Sequence, residues 1–320
     1  MKCTTRWLAV LAASLAAFTA AAQTYPTKPV KIVVGFAPGG GSDFIARVIA
    51  QQLTGRLGTQ VLVENRPGAG SLIGAEFVIK SPADGYTLLL TPASYTVNPS
   101  VYKLSFDPLN DITPIVQLSR GPYVVAVNPS VPAKTLQELV ALAKREPGKL
   151  SYASSGTGAH VHVATEYFLY TAGINIVHVP YKGTGPALND TIGGNIQLIF
   201  GSVATALQHV KSGRLRALAV TTPKRIAAAP DVPTVAESGY PGFQVDNMYG
   251  VLAPRGTPPE AVKKLHDDIV RAVREPAAAK ALEAASIDIV ANTPEEFAAY
   301  ITSETSKWAQ VVKASGAKVE

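Results

Sequence analysis

One stretch constrains this chain more than any other: Val-Lys-Ile-Val-Val-Gly-Phe-Ala-Pro-Gly-Gly-Gly-Ser-Asp at residues 30–43. Val30 to Phe36 is mostly apolar and β-branched, the composition of a strand covered on both faces. After Pro38, three consecutive glycines, Gly39, Gly40 and Gly41, let the backbone turn with φ > 0 and approach a ligand closely. Ser42 or Asp43 is expected to cap the helix that follows. That helix shows an apolar face at Phe44, Ile45, Val48, Ile49, Leu53 and Leu57. A strand, a glycine turn and a helix in this order begin an α/β fold. Unpaired N–H groups at such a helix start favour an anion. The loop is therefore expected to hold one end of a small acidic ligand.

The grammar repeats along the 320 residues. Strands are expected at 60–64, 86–91, 112–118 and 123–127, with 92–105 read as loop around a helical turn. Ser119-Arg120-Gly121-Pro122 reads as a break between two strands. A second unit follows: helix 133–145, strand 149–153, and a second small-residue turn, Ser154-Ser155-Gly156-Thr157-Gly158. Then come helix 159–171, strand 175–180, loop 181–185, helix 186–192, strand 195–200, helix 203–211 and strand 215–221. A last long strand is expected at 245–253. The remainder is helical except for a short strand at 287–290. Crossings near 119–124 and 246–250 join the units and return the chain to the first one. Lobe 1 is thus 23–121 with 248–320, and lobe 2 is 122–247. Open α/β sheets bind ligands beyond the C-terminal ends of their strands. Two lobes facing each other bring both small-residue loops to one cleft.

Residues 1–22 have the three parts of a signal peptide. Lys2 and Arg6 precede an apolar run from Trp7 to Phe18, and Ala20-Ala21-Ala22 forms the cleavage site. The run is shorter than the about 20 apolar residues of a membrane span. Cleavage removes Cys3, the chain's one cysteine. A bacterial periplasmic protein that relies on its core rather than on disulfides is expected. The formal net charge is +6 with scattered lysines and arginines. Nucleic-acid binding would need a clustered basic face, and is not expected.

The candidate ligand-binding residues follow from the two loops and the strand ends. The first loop contributes Phe36, Pro38, Gly39, Gly40, Gly41, Ser42 and Asp43. The second contributes Ser154, Ser155, Gly156, Thr157 and His160. Strand-end positions add Ser94, Tyr95, Tyr181, Gly201, Ser202 and Tyr249. Asp43 also has a purely structural reading, as a helix-start carboxylate. His160 and His162 do not share a helix face, so a metal pair is not expected. Gly68-Ala-Gly-Ser-Leu-Ile-Gly lacks the dinucleotide spacing, and no cofactor is expected. A secreted hydrolase using Ser154 or Ser155 with His160 is the enzyme alternative. It lacks a Gly-x-Ser-x-Gly elbow and a third, orienting group. About four charge-assisted hydrogen bonds would contribute ~6–12 kcal/mol toward a carboxylate. Lost translational and rotational freedom opposes this by about 4–15 kcal/mol, so lobe closure is needed for firm binding.

Several blocks taken in order resemble the Bug family of extracytoplasmic solute receptors, related to tripartite tricarboxylate transporters. They are Tyr25-Pro26-Thr27-Lys28-Pro29, Pro38 to Asp43, and Val63-Glu64-Asn65-Arg66-Pro67-Gly68-Ala69-Gly70. Asp84-Gly85-Tyr86-Thr87-Leu88, Tyr152 to Gly156, His178 to Gly183, Leu215 to Val220 and Asp231 to Glu237 continue the series. The resemblance implies an α/β, two-lobed periplasmic-binding-protein fold, type II-like. Two parallel or mixed sheets flanked by helices would enclose a central cleft. It implies a small carboxylate as ligand: a di- or tricarboxylate, an acidic amino acid or an aromatic acid. It implies a monomer that meets transporter membrane subunits, with a sensor-kinase ectodomain as the alternative partner. This chain departs from many relatives at Phe200-Gly201-Ser202, where they carry an Asp after the Phe. A ligand amino group would lose a partner there, which turns the expectation away from amino acids.

Overall fold

The two sheets share one strand. In the computed structural model, which describes residues 25–315, the chain enters on β1 (Val30–Val34) and crosses through α1 (Gly41–Leu57) to β2 (Val61–Asn65). The expected signal peptide lies outside the described residues. A short turn leads to α2 (Leu72–Ile79), β3 (Thr87–Pro92) and α3 (Ser94–Val101). The long β4 (Ile112–Val127) leads to α4 (Leu136–Arg145), β5 (Ser151–Ser154), α5 (His160–Ala172) and β6 (Val177–Pro180). Next come α6 (Thr184–Ile192), β7 (Leu198–Ser202), α7 (Val203–Lys211) and β8 (Arg216–Val220). The chain closes with β9 (Asp246–Pro254), α8 (Pro259–Arg274), α9 (Pro276–Ala284), β10 (Asp288–Ile289) and α10 (Pro294–Ser315).

β1 pairs in parallel with β2 and β3, and β9 joins antiparallel between β3 and β4. The second sheet uses the far half of β4, paired antiparallel with β7 and β8. β5 lies in parallel between β6 and β7. Parallel pairing requires crossover helices, which cover the faces and make strands such as Val30–Val34 almost wholly buried. On α1 the buried stripe is Ile45, Ala46, Ile49, Ala50, Leu53 and Leu57; Phe44 and Val48 stand half-buried beside it. α10 reaches from the first sheet to α5, where Trp308 meets the His160 ring edge-on at 4.5 Å.

Three local expectations change. The helix start is capped by Gly40 without a side-chain bond, so neither Ser42 nor Asp43 is the cap. Both already lie in its first turn. The 92–105 segment contains a two-turn helix, α3, despite Pro99 inside it. Pro99 forgoes one helical hydrogen bond, and burial of Tyr95, Thr96, Val97 and Asn98 offsets that loss. Finally, Ser119–Pro122 does not break the strand: β4 is continuous. At Pro122 the strand has β9 as its one ladder partner, since β10 has ended and β7 begins at Tyr123. A missing N–H is tolerated at such a point.

Candidate solute-binding cleft

β1 ends facing the second sheet, and the glycine turn carries the chain to the start of α1. Gly39 sits at φ 86°, where a Cβ would be strained, and Gly40 is extended. The first-turn amides of α1 belong to Gly41, Ser42 and Asp43. Asp43 braces this turn rather than presenting a free charge. Its Oδ2 accepts from Gly39 N at 3.1 Å and from Arg47 Nε at 3.0 Å; its Oδ1 accepts from Asn65 Nδ2 at 3.0 Å. Burial pushes its pKa up, but the hydrogen bonds from Arg47, Gly39 and Asn65 and the Arg47 charge outweigh it. The carboxyl stays below its ordinary value, and ionised.

A narrow cavity of about 20 Å³ lies between the two sheets. Five helices begin at its wall. Gly41 opens α1, Ser94 opens α3, and Thr184 opens α6. Val161 lies in the first turn of α5, and Ser202 immediately precedes α7. Each helix start carries partial positive charge. Phe36, Pro92, Tyr123, Ser155, Asn247 and Tyr249 complete the wall, with Gly40, Ser42 and Asp43. Among the described residues, no lysine or arginine lines this cavity. Apart from the Asp43 carboxylate, whose charge is met by Arg47, the wall holds neutral donors and apolar surface, a composition that suits a carboxylate.

The hydroxyls are fixed from behind. Ser94 Oγ accepts from His160 N at 3.0 Å, across the two sheets. Tyr123 Oη and His160 Nδ1 are 2.9 Å apart. Burial, and secondarily the Lys307 charge, pushes the His160 pKa down to about 3, so this imidazole is neutral. Ser202 Oγ and Tyr249 Oη lie 3.4 Å apart beside Gly41. A Cβ on Gly41 would collide with the Tyr249 hydroxyl and come within 2.9 Å of Ser202 Oγ. Burial raises the pKa of both tyrosines, which therefore remain hydroxyl donors. Asn247 Oδ1 accepts from Ala93 N at 3.1 Å and holds the chain just before α3.

A second space, about 310 Å³, adjoins the first through Ser155, which lines both. Its walls include Gly68, Ala69, Gly70, Tyr102, Gly156, Thr157, Tyr181 and Lys182. Ala69 (φ 47°), Gly70 (φ 59°) and Ser71 (φ 87°) are consecutive left-handed residues. Two of them are not glycine, a strain that concentrates at ligand clamps. Backbone makes up much of the seam around both spaces. Ala37 N donates to Lys182 O at 2.8 Å, and Tyr102 Oη donates to Thr157 O at 2.5 Å. Gly40 lies against Thr184, and Gly70 against residues 157–159.

The structure brings Phe36, Gly40, Gly41, Ser42, Asp43, Ser94, Ser155, Ser202 and Tyr249 to the first cavity. Gly156, Thr157 and Tyr181 line the second, the Tyr181 hydroxyl being bonded to Asp190. Pro38 and Gly39 lie on the rim, exposed and facing Gly185. Tyr95 turns away and donates to Pro108 O at 2.9 Å. Gly201 faces Ala206 of α7. The His160 ring packs between Tyr123 and Trp308, not into the cleft. Ser154 Oγ pairs with His178 Nε2 at 2.6 Å. The expected Ser–His160 pair of the hydrolase alternative is therefore not formed. Sequence reasoning missed Tyr123, Val161, Thr184 and Asn247, and the Ala69–Gly70 wall. Thr184 stood in a recognised loop; the 68–70 glycines were set aside for lacking a nucleotide spacing.

Two mixed sheets around a cleft ringed by helix starts define a periplasmic-binding-protein fold, a receptor architecture. The chain belongs to the tripartite tricarboxylate transporter receptor family, TctC, whose model matches residues 45–317. It is 38% identical over 327 residues to protein BugT of Bordetella pertussis, covering 99% of each chain. The periplasmic binding protein BugD superposes with a TM-score of 0.90 at 34% identity, over 92% of this chain and 100% of that one. The R. palustris protein Rpa4515 with adipate superposes at 0.89 with 32% identity and the same coverage.

Proposed function

We propose that this receptor captures a small dicarboxylate in the periplasm and hands it to the membrane subunits of a tripartite tricarboxylate transporter. The convergence of five helix starts on a cavity without a lysine or arginine carries this reading. Such a wall attracts an anion, yet lacks the full counter-charge that would slow its release. The likeness to a protein bound to adipate points the same way. Gly40, Gly41, Ser42, Ser94, Ser155, Ser202 and Tyr249 are the ligand-facing residues in this proposal. Asp43, the carboxylate on the wall, has both oxygens engaged and offers little to an ammonium group. The preferred ligands are thus organic acids without an amino group. Lobe 1 (23–121 with 248–320) and lobe 2 (122–247) close on each other about β4 and β9.

Calorimetry on the signal-free protein tests this with adipate, succinate, citrate, L-aspartate, a sugar and a polyamine. A saturable exotherm or endotherm with the dicarboxylates, and weaker binding of aspartate, is expected. Binding should also raise thermal stability, by about 2.7 kcal/mol at a hundredfold excess over Kd. Response to the sugar or polyamine alone would overturn the assignment.

A further inference from the structure

Behind the second jaw lies a polar stack that does not touch the cavity. His178 of β6 is stacked between Tyr152 of β5, at 4.9 Å, and His162 of α5, at 4.1 Å. Each imidazole is tied to the 154–158 loop. His162 Nδ1 accepts from Gly158 N at 3.2 Å. His178 Nε2 bonds to Ser154 Oγ, which also accepts from Gly156 N at 3.1 Å. The loop's backbone geometry, with Gly156 at φ 130° and Gly158 at φ 70°, is thus pinned by two imidazoles. We propose that His162 and His178 are positioning residues for the second jaw, and that their protonation loosens the loop and releases the bound acid. This rests on the reading of that loop as one jaw of a carboxylate cleft.

The chemistry has one direction. Accepting the Gly158 N–H requires a lone pair on His162 Nδ1, which a protonated ring lacks. Two imidazolium rings 4.1 Å apart would also repel. The titratable groups facing the stack are Tyr152 from β5 and Glu166 from α5, bonded to each other at 2.5 Å. Tyr102, just after α3, presses on Gly158 from the opposite jaw. Glu166 accepts from the Tyr152 hydroxyl, and burial raises its pKa against the pull of that hydrogen bond. Burial pushes His162 down to about 4; burial, then the neighbouring His162, pushes His178 to about 3. Opening the jaws takes Tyr102 off Gly158 and lets water reach the loop. An imidazole near its ordinary pKa of about 6.5 then takes up a proton. By linkage, acid favours the open state.

Adipate calorimetry at pH 7.5 and 5.0 tests the pair, comparing wild type with the double variant His162→Asn/His178→Gln. The amides offer similar acceptors and do not titrate, and the variant sets the baseline for protonation of adipate itself. Wild type is expected to lose roughly tenfold more affinity than the variant over this range. His162→Leu, which removes the acceptor, should bind more weakly at both pH values. In the ligand-free protein, the Gly158 amide resonance should move as the His162 ring titrates. Equal pH profiles for wild type and variant, or a Gly158 resonance unmoved by that titration, would overturn the inference. If adipate fails to bind at pH 7.5, the carboxylate reading falls instead, and the Gly158 titration alone decides the pair.

Discussion

At the scale of single residues, Asp43 braces the glycine turn from a place on the cavity wall. Its oxygens hold Gly39, Asn65 and Arg47, and so fix the turn from which the α1 amides project. Asp43→Asn should destabilise the protein by about 1–3 kcal/mol at pH 7, seen in urea unfolding. The native carboxyl has a lowered pKa. Its contribution is present above the ordinary aspartate value of about 3.9 and is lost as pH falls through the native value. The gap between wild type and variant should therefore narrow below about pH 4. The sequence told that Asp43 stands at a helix start, but not which group it braces. Its partner Asn65 is 22 residues away, a distance only the fold closes. For the same reason Asn247 escaped notice: its bond to Ala93 spans 154 residues.

At the scale of elements, the small residues on the seam decide whether the jaws can meet. Gly185 lies in the first turn of α6 with an ordinary helical φ, and a Cβ there would collide with Pro38 O and crowd Gly39. Gly185→Ala should cost the protein about 1–3 kcal/mol, since the colliding atoms are backbone, with up to about 1 kcal/mol returned by alanine's better helix propensity. It should also weaken dicarboxylate binding by roughly tenfold or more, since the methyl group holds the seam apart. Unfolding and calorimetry on the same variant separate the two effects. Most elements were legible from periodicity and from the strand–glycine–helix pattern. The exceptions, α3 and the unbroken β4, both contain prolines that local rules count as breakers. At Pro99 burial outweighed one lost bond, and at Pro122 the strand stands between partners. Both outcomes depend on neighbours distant in sequence.

At the scale of the molecule, one sheet passes into the other through β4, with β9 beside it at the crossing. Two connecting strands permit a hinge while limiting twist, the architecture expected of a capture protein. The glycine loop that opens the chain therefore matters as one side of a cleft whose other side comes from residues 154–158, 184 and 202. In the proposed function, helix-start amides and hydroxyls, without a cation, hold the acid group. A crystal structure of the protein with adipate tests this most directly. One carboxylate is expected within hydrogen-bond distance, about 3 Å, of the Gly41–Ser42 amides and of the Ser202 or Tyr249 hydroxyl. A carboxylate found instead on Lys182, or in a separate pocket whose lining includes Arg120 and Lys307, would contradict the account.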